Sequence, residues 1–438
     1  MTGKAPTHSF QANGRVPLWT RPFVFLMLQN LLFWVAMNMF TTTMPGYVLA
    51  IGGTAAQTGI LVGLFSYAAL LFRPASGVLI DRWERRKVLL AGTVLATAVS
   101  FVYPFASFLT GLMVLRFIHG LGFSAFSTAS STMAADIVPE SRMSEGLGVF
   151  GLANTISMAI GPSIGLALVG YGYQRLFLVI GGLMVVSLIL VFWIDGSVRS
   201  RYHEHQDKAT MSLPIAAKAP APNRMNVPAM VRGMLEKSAL RPSIVAFFML
   251  VSVGSIMAFL PLYGKDRGFD NIGLFFTVYA GALILARFMT GRLADEHGSN
   301  IVFIPSLLLA IISTLLLAFA NSERTLLLAA VFYGAGTGLA FPILSAILIR
   351  LAPTDRRGAA NATFFAAIDI AVGTGSIAMG LVSQYWGYTA FFLIATVIFL
   401  ISLVLYILLL GRLEYKTQER IRIEYCEPCE KSEADALD

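Results

Sequence analysis

Polar and charged residues gather in short clusters along this chain, and the stretches between them are apolar and of nearly constant length. The apolar runs fall at about 23–45, 57–80, 88–107, 109–135, 146–168 and 176–194, and again at about 241–263, 272–293, 301–320, 324–349, 358–382 and 388–410. A helix rises about 1.5 Å per residue, so about 20 residues cross the ~30 Å of hydrocarbon in a bilayer. The pattern therefore predicts an all-α integral membrane protein with twelve spans and both termini on one side.

The runs divide into two sets of six that repeat in order. Arg73, Gly77 and Asp81, near the end of the second run, match Arg287, Gly291 and Asp295 near the end of the eighth, each pair 214 positions apart. The same offset carries Gly120 and Gly122 onto Gly334 and Gly336, and Pro139, Arg142 and Phe150 onto Pro353, Arg356 and Phe364. One offset without a gap predicts two homologous six-helix bundles, 23–194 and 241–410. They are joined by a linker, 195–240, and flanked by an N-terminal segment, 1–22, and a tail, 411–438.

Composition agrees on the solvent: 56% hydrophobic residues, 13% charged residues and a mean hydropathy of +0.73 leave too little polar surface to cover a water-soluble globule. Charge sets the orientation. Arg175, Lys265, Arg267 and Arg324 are the only cations of the odd-to-even loops, and Arg73, Arg116 and Arg287 lie inside spans. The remaining Lys and Arg sit on the side of the termini, which the positive-inside rule makes cytoplasmic. The net charge of +8 is accounted for by this asymmetry facing an anionic inner leaflet, so the lipid bilayer is the implied partner and nucleic acid is not. Residues 1–22 lack the apolar core of a removable signal, so the first span is the expected insertion signal. Cys426 and Cys429 have the spacing of half a zinc site, which His203 and His205 would complete, but a tail with two incidental cysteines explains the same letters and no metal is assigned.

The turn after the second run, Asp81-Arg-Trp-Glu-Arg-Arg-Lys87, places four cations in seven residues. Orientation alone requires neither an Asp at a fixed distance from Gly77 nor a second copy. Gly77, Asp81, Arg82, Arg85 and Arg86 together resemble the loop 2–3 signature of the major facilitator superfamily, with Glu84 in place of its second Gly and Gly298 keeping that Gly in the second-half copy. In that family the Gly permits helix approach and the Asp joins a charge network that latches the outward-facing state. The resemblance implies gating roles for Gly77, Asp81, Arg82, Arg85 and Arg86 and for their counterparts Gly291 and Asp295. Asp136 and Glu140 are expected to pair with this basic cluster.

The fourth run holds Arg116, and His119 follows one turn later on the same face. A charge at membrane depth costs about 2.5–3.5 kcal/mol on insertion scales and asks for a reason. The family has an Arg here that it associates with proton coupling; packing against carbonyls is the plainer explanation, and His119 equally suits an interhelical donor. On the fifth run, Gly161-Pro162-x-x-Gly165 resembles the family's antiporter motif, which marks exporters, with Leu166 where a second final Gly is usual. A kink that only serves packing would use the same residues. Asp369 lies about ten residues into the eleventh run, with Thr155 as its symmetry mate. There desolvation favours the neutral acid and a nearby cation favours the carboxylate. It is a candidate proton carrier, or half of a static pair with an intramembrane Arg such as Arg287.

The resemblance implies two bundles related by an axis along the membrane normal, with substrate bound midway between them and alternating access by rocking. The expected function is secondary active transport: proton-coupled efflux of a small organic molecule, drug or metabolite, by a plasma-membrane monomer. Proton-symport uptake or facilitated diffusion is the alternative, and a non-transporting membrane sensor is the alternative of another class. Met37, Asn38, Tyr263 and Tyr333 are candidate substrate-cavity residues. No nucleophile elbow, phosphate loop or metal-ligand cluster stands in a span, so neither an enzyme nor a cofactor is implied.

Overall fold

The computed structural model describes residues 17–139, 142–194, 236–353 and 356–411, and the side chains at 81, 144 and 289–297 lie outside that description. In the first half, α1 (Arg21–Ala50), α2 (Ala55–Arg82), α3 (Arg85–Val102), α4 (Leu109–Ile137), α5 (Met143–Val169) and α6 (Tyr173–Trp193) follow one another through short turns. The second half has α7 (Leu240–Asp266), α8 (Ile272–His297), α9 (Ser299–Ala318) and α10 (Glu323–Leu351). A last helical stretch, Arg357–Tyr406, is broken at Gly387, whose φ of 75° and ψ of 176° suit a residue without a side chain. It makes two helices, α11 (357–386) and α12 (388–406).

Among the described residues ten helical stretches are long and apolar enough to cross a membrane. Counting the broken stretch as two and adding Ile272–His297, whose apolar part is Ile272–Phe288, gives the twelve that the hydrophobic pattern predicts. The helices outrun the apolar runs; the 30 residues of α1 make about 45 Å. Their ends are set by local chemistry. Thr54 caps α2 by accepting from the Gln57 amide (3.3 Å), and Gln57 Oε1 returns the bond to the Thr54 amide (2.9 Å). Hydroxyls inside the spans find partners one turn back: Thr41, Thr42 and Thr43 donate to the carbonyls of Met37, Asn38 and Met39.

Each half has its own apolar core. Phe33, Phe40, Tyr103, Phe126 and Phe177 fill the first, and Tyr263, Phe303, Tyr333, Phe391, Phe392 and Tyr406 the second. The repeat extends to one close helix contact in each half. A methyl group added to Gly122 would press on the Gly92 carbonyl and the Ala96 amide; on Gly336 it would press on the Ser306 carbonyl and the Ala310 amide, each 214 positions on. The large side chains left exposed, such as Leu71, Phe117, Phe192, Phe288, Leu308 and Val397, are apolar, as a lipid-facing surface requires.

The halves meet where α1 packs on α7, α2 on α11, and α5 on α8. The α2/α11 seam is tightest at the end away from the chain termini. There Gly59 lies so close to α11 that a Cβ would strike the Ser376 carbonyl, and Gly63 is similarly placed against the Gly373 carbonyl. Small residues four apart make such an approach possible without lost packing. Toward the termini the same helices part, and a Cβ at Gly77 or Gly358 would meet nothing within 4 Å.

Candidate functional site

The seam between α2 and α11 carries a ladder of polar contacts that ends in a charge pair. From the closed end, the Ala56 amide donates to Gln384 Oε1 (3.0 Å), and the hydroxyls of Tyr67 and Thr374 lie 2.7 Å apart. Next along the ladder, Arg73 Nε donates to Asp369 Oδ2 and Arg73 Nη2 to Asp369 Oδ1 (3.1 Å), a two-point ion pair between the halves. The two side chains are 16% and 9% exposed, and the guanidinium carbon stands 5.5 Å from the centre of the Phe365 ring. Asp369 is the one buried carboxylate within a membrane-crossing helix among the described residues. It pairs with Arg73 and not with Arg287.

The second seam, α5 against α8, repeats the arrangement with a change of partner. Ser163 and Thr277 hydroxyls lie 3.0 Å apart, and farther toward the termini Arg287 Nη1 donates to Thr155 Oγ1 (2.5 Å). Arg287 is Arg73 moved 214 positions, and Thr155 stands where Asp369 does in the other half. The two cross-seam contacts are therefore symmetry mates, one closed by a carboxylate and the other by a hydroxyl. Lacking the acid, Arg287 turns its Nε to the Gly338 carbonyl of its own half (3.3 Å).

Arg116 and His119 are placed elsewhere, inside the first bundle. Arg116 is 2% exposed, with its guanidinium carbon 5.3 Å from the Phe65 ring centre and 5.8 Å from that of Phe40. Fully buried His119 places Nδ1 3.5 Å from the Tyr103 hydroxyl, where the tautomer decides which group donates. Arg116 Nε and His119 Nε2 have no hydrogen-bond partner among the described residues. Gly161 and Gly165 on α5, flanking Pro162, let that helix close on α1: a Cβ at Gly161 would fall 2.9 Å from the Val35 carbonyl. Asn38 follows from this closeness, donating to the Trp34 carbonyl (2.9 Å) and to Ser157 Oγ on α5 (3.1 Å). Met37 is buried beside it. Tyr263 gives its hydroxyl to the Leu317 carbonyl (2.7 Å), and Tyr333 packs on Tyr279, both within the second core. Met37 thus lies in the first core, half-buried Asn38 at the α1/α5 contact, and Tyr263 and Tyr333 in the second core.

At the terminal face, Arg85 forms an ion pair with Asp136, and Arg86 donates to the Val191 and Phe192 carbonyls that close α6 (3.2 and 2.7 Å). Arg82 is exposed there. In the second half, Arg356 pairs with Glu236 (3.0 Å) ahead of α7. The side chains of Asp81, Gly291 and Asp295, residues Glu140, His203, His205, Cys426 and Cys429, and the linker up to 235 lie outside the described residues. Reasoning from sequence missed the Arg73–Asp369 pair, although its signal was present: one offset relates both the two arginines and the Thr155–Asp369 positions.

The family model described as Major Facilitator Superfamily matches residues 26–275 and 243–424, which together take in both halves. The chain belongs to this superfamily. Among superfamily relatives, the Staphylopine export protein of Staphylococcus aureus is 26% identical over 380 residues, covering 85% of this chain and 92% of that protein. The Multi-drug resistance efflux pump PmrA of Streptococcus pneumoniae is 24% identical over 376 residues, 83% of this chain and 89% of its own. The fold matches the human organic anion transporter MFSD10 (TETRAN) with a TM-score of 0.64 at 18% identity, covering 89% of this chain and all of that one. A bacterial homologue of the human lysosomal transporter Spinster, in an inward-facing and occupied conformation, gives 0.69 at 13% identity over 90% and 97%. As a superfamily member this chain is a multi-pass membrane transporter of small molecules and not an enzyme.

Proposed function

We propose that this protein exports a small organic molecule in exchange for protons, alternating access to a site between its halves. The observation that carries the reading is the Arg73–Asp369 bridge, a buried carboxylate joining the halves near the level where their seam begins to part. A proton on Asp369 removes the charge that holds Arg73, so proton binding and separation along this seam are linked. Loss of the proton restores the bridge. In this reading both termini are cytoplasmic, the chain works as a monomer in the plasma membrane, and the bridged form stands open to the cytoplasm to take substrate.

Supporting residues then have distinct tasks. Gly77, Asp81, Arg82, Arg85 and Arg86, with Gly291 and Asp295, gate the cytoplasmic mouth, while Arg116 and His119 serve the proton path. Met37 and Asn38, with Tyr263 and Tyr333 behind the opposite wall, shape the cavity. The Gly161-Pro162-x-x-Gly165 kink, and relatives named for export and efflux, favour outward transport over uptake.

The test uses everted membrane vesicles with a preformed proton gradient, challenged with a panel of drugs and metabolites. Wild type dissipates the gradient with at least one compound, and Asp369→Asn does not. An equal response from both proteins at matched abundance overturns the assignment of proton exchange to Asp369.

A further inference from the structure

Among the described residues, the near-symmetry of the two seams leaves one seam cation without a counter-charge. Arg73 is neutralised by Asp369. Arg287, its equivalent, is held among the described residues by neutral oxygens, Thr155 Oγ1 across the seam and the Gly338 carbonyl beside it. Among the described residues no carboxylate pairs with Arg287, and its Nη2 has no hydrogen-bond partner. The side chain is half-buried, and just beyond Thr155 toward the termini the seam opens: a Cβ at Gly151 or Gly148 would meet nothing within 4 Å. About 22 Å along α8 from Ile272, one residue before the apolar part of the helix ends at Phe288, Arg287 lies toward the terminal side of the ~30 Å hydrocarbon layer, where a guanidinium without a carboxylate among the described residues is still costly. An anion arriving from the open side would relieve that cost.

We propose that Arg287, with the Thr155 hydroxyl beside it, is the anion-recognition point of the transport site, taking a carboxylate borne by the substrate in the place that Asp369 occupies in the other seam. The proposal rests on the transporter reading and names its substrate class: small organic acids or zwitterions with a free carboxylate. The geometry is that of the symmetry mate. A guanidinium offers parallel donors to two oxygens, as Arg73 does to Asp369, and a charge-assisted pair of this kind discriminates strongly between a carboxylate and its neutral amide. Thr155 has a shorter side chain than an Asp, and its hydroxyl, which gives a long bond to the Gly151 carbonyl (3.4 Å), can turn to donate to an arriving carboxylate.

Equilibrium binding of N-dansylglycine and of its amide, to the full chain in phosphatidylcholine nanodiscs, reads the point directly. The carboxylate binds wild type about ten-fold or more tighter than the amide. Arg287→Gln erases that preference, Arg287→Lys keeps part of it, and Thr155→Asp erases it by supplying an internal carboxylate. Unchanged melting temperature and monodisperse elution qualify each variant, and Thr155→Asp carries the test alone should Arg287→Gln not fold. A wild type without preference, including one that binds neither probe, overturns the proposal, as does a preference that survives both Arg287→Gln and Thr155→Asp. A phospholipid phosphate offers similar oxygens, so the assay is repeated with phosphatidylglycerol in the disc. Competition by that lipid that disappears in Arg287→Gln assigns the position to a headgroup and overturns the substrate assignment. The vesicle assay separates the two levels: proton exchange driven by neutral compounds in a protein without carboxylate preference sinks this inference alone. Arg287-dependent binding in a protein that moves no protons supports it while counting against the exchange.

Discussion

Arg73 of α2 and Asp369 of α11 form a two-point ion pair across the interface between the halves, and both groups are largely withdrawn from solvent. Removing one member of such a pair strands the other charge, which in buried settings costs about 3–5 kcal/mol, whereas replacing both by apolar residues of similar volume is often neutral. Asp369→Leu and Arg73→Met should therefore each lower the melting temperature of the purified protein clearly, and the double variant should recover most of the loss. Additive losses in the double variant would mean that the two side chains act independently, and that the contact stores little energy.

Much of this fold was legible in the hydrophobic pattern, because a bilayer fixes span length and leaves few other ways to satisfy the backbone. The α11/α12 boundary at Gly387 was also visible as a polar and glycine interruption. The partner of Asp369 was harder. Charge and depth marked the acid and all three intramembrane arginines, but a cross-half contact depends on how two bundles are rotated, which no local pattern encodes. Tyr263 and Tyr333 were legible as large amphipathic side chains suited to a cavity wall, but the packing of their rings within the second core depends on tertiary neighbours that the sequence does not display.

Gly59 and Gly77 lie on one helix and should respond in opposite ways to the same substitution. A Cβ at Gly59 would strike the Ser376 carbonyl, whereas at Gly77 it would enter open space. Gly59→Val must therefore push α2 from α11 at the end away from the termini, favouring forms open at that end. Spin labels at exposed Thr54 and Tyr385 should show a longer distance distribution in Gly59→Val and no change in Gly77→Val. The reverse order of effects would mean that the seam closes at the other end.

Glu236 ties the start of the second half to α11. Its carboxylate accepts from the Ser238 amide (3.3 Å) and pairs with Arg356, and its own amide donates to Thr363 (3.0 Å). The Ser238 amide foremost, and Arg356 after it, hold this carboxyl below the usual carboxylate range. A group whose folded-state pKa is depressed stabilises the fold above its unfolded pKa, and that contribution fades as acidification passes the folded value. Glu236→Gln should lower the melting temperature by a constant amount above about pH 5, with the gap to wild type closing below the ordinary carboxylate range. A gap that persists in acid would assign the effect to packing at this side chain instead.

Arg116 is a large side chain sealed among Phe40, Phe65 and Tyr103, so its volume and its charge contribute separately and can be separated by substitution. Ala at this position opens a hole in a close-packed core, at a cost of about 2–4 kcal/mol by analogy with other large-to-small changes. Met keeps most of the volume and removes a buried charge whose Nε has no hydrogen-bond partner among the described residues. Arg116→Ala should therefore melt several degrees below wild type and Arg116→Met at or above it. If Arg116→Met is as unstable as Arg116→Ala, the guanidinium is held by interactions beyond its ring contacts. If it is stable but no longer exchanges protons in vesicles, the charge serves transport and not the fold.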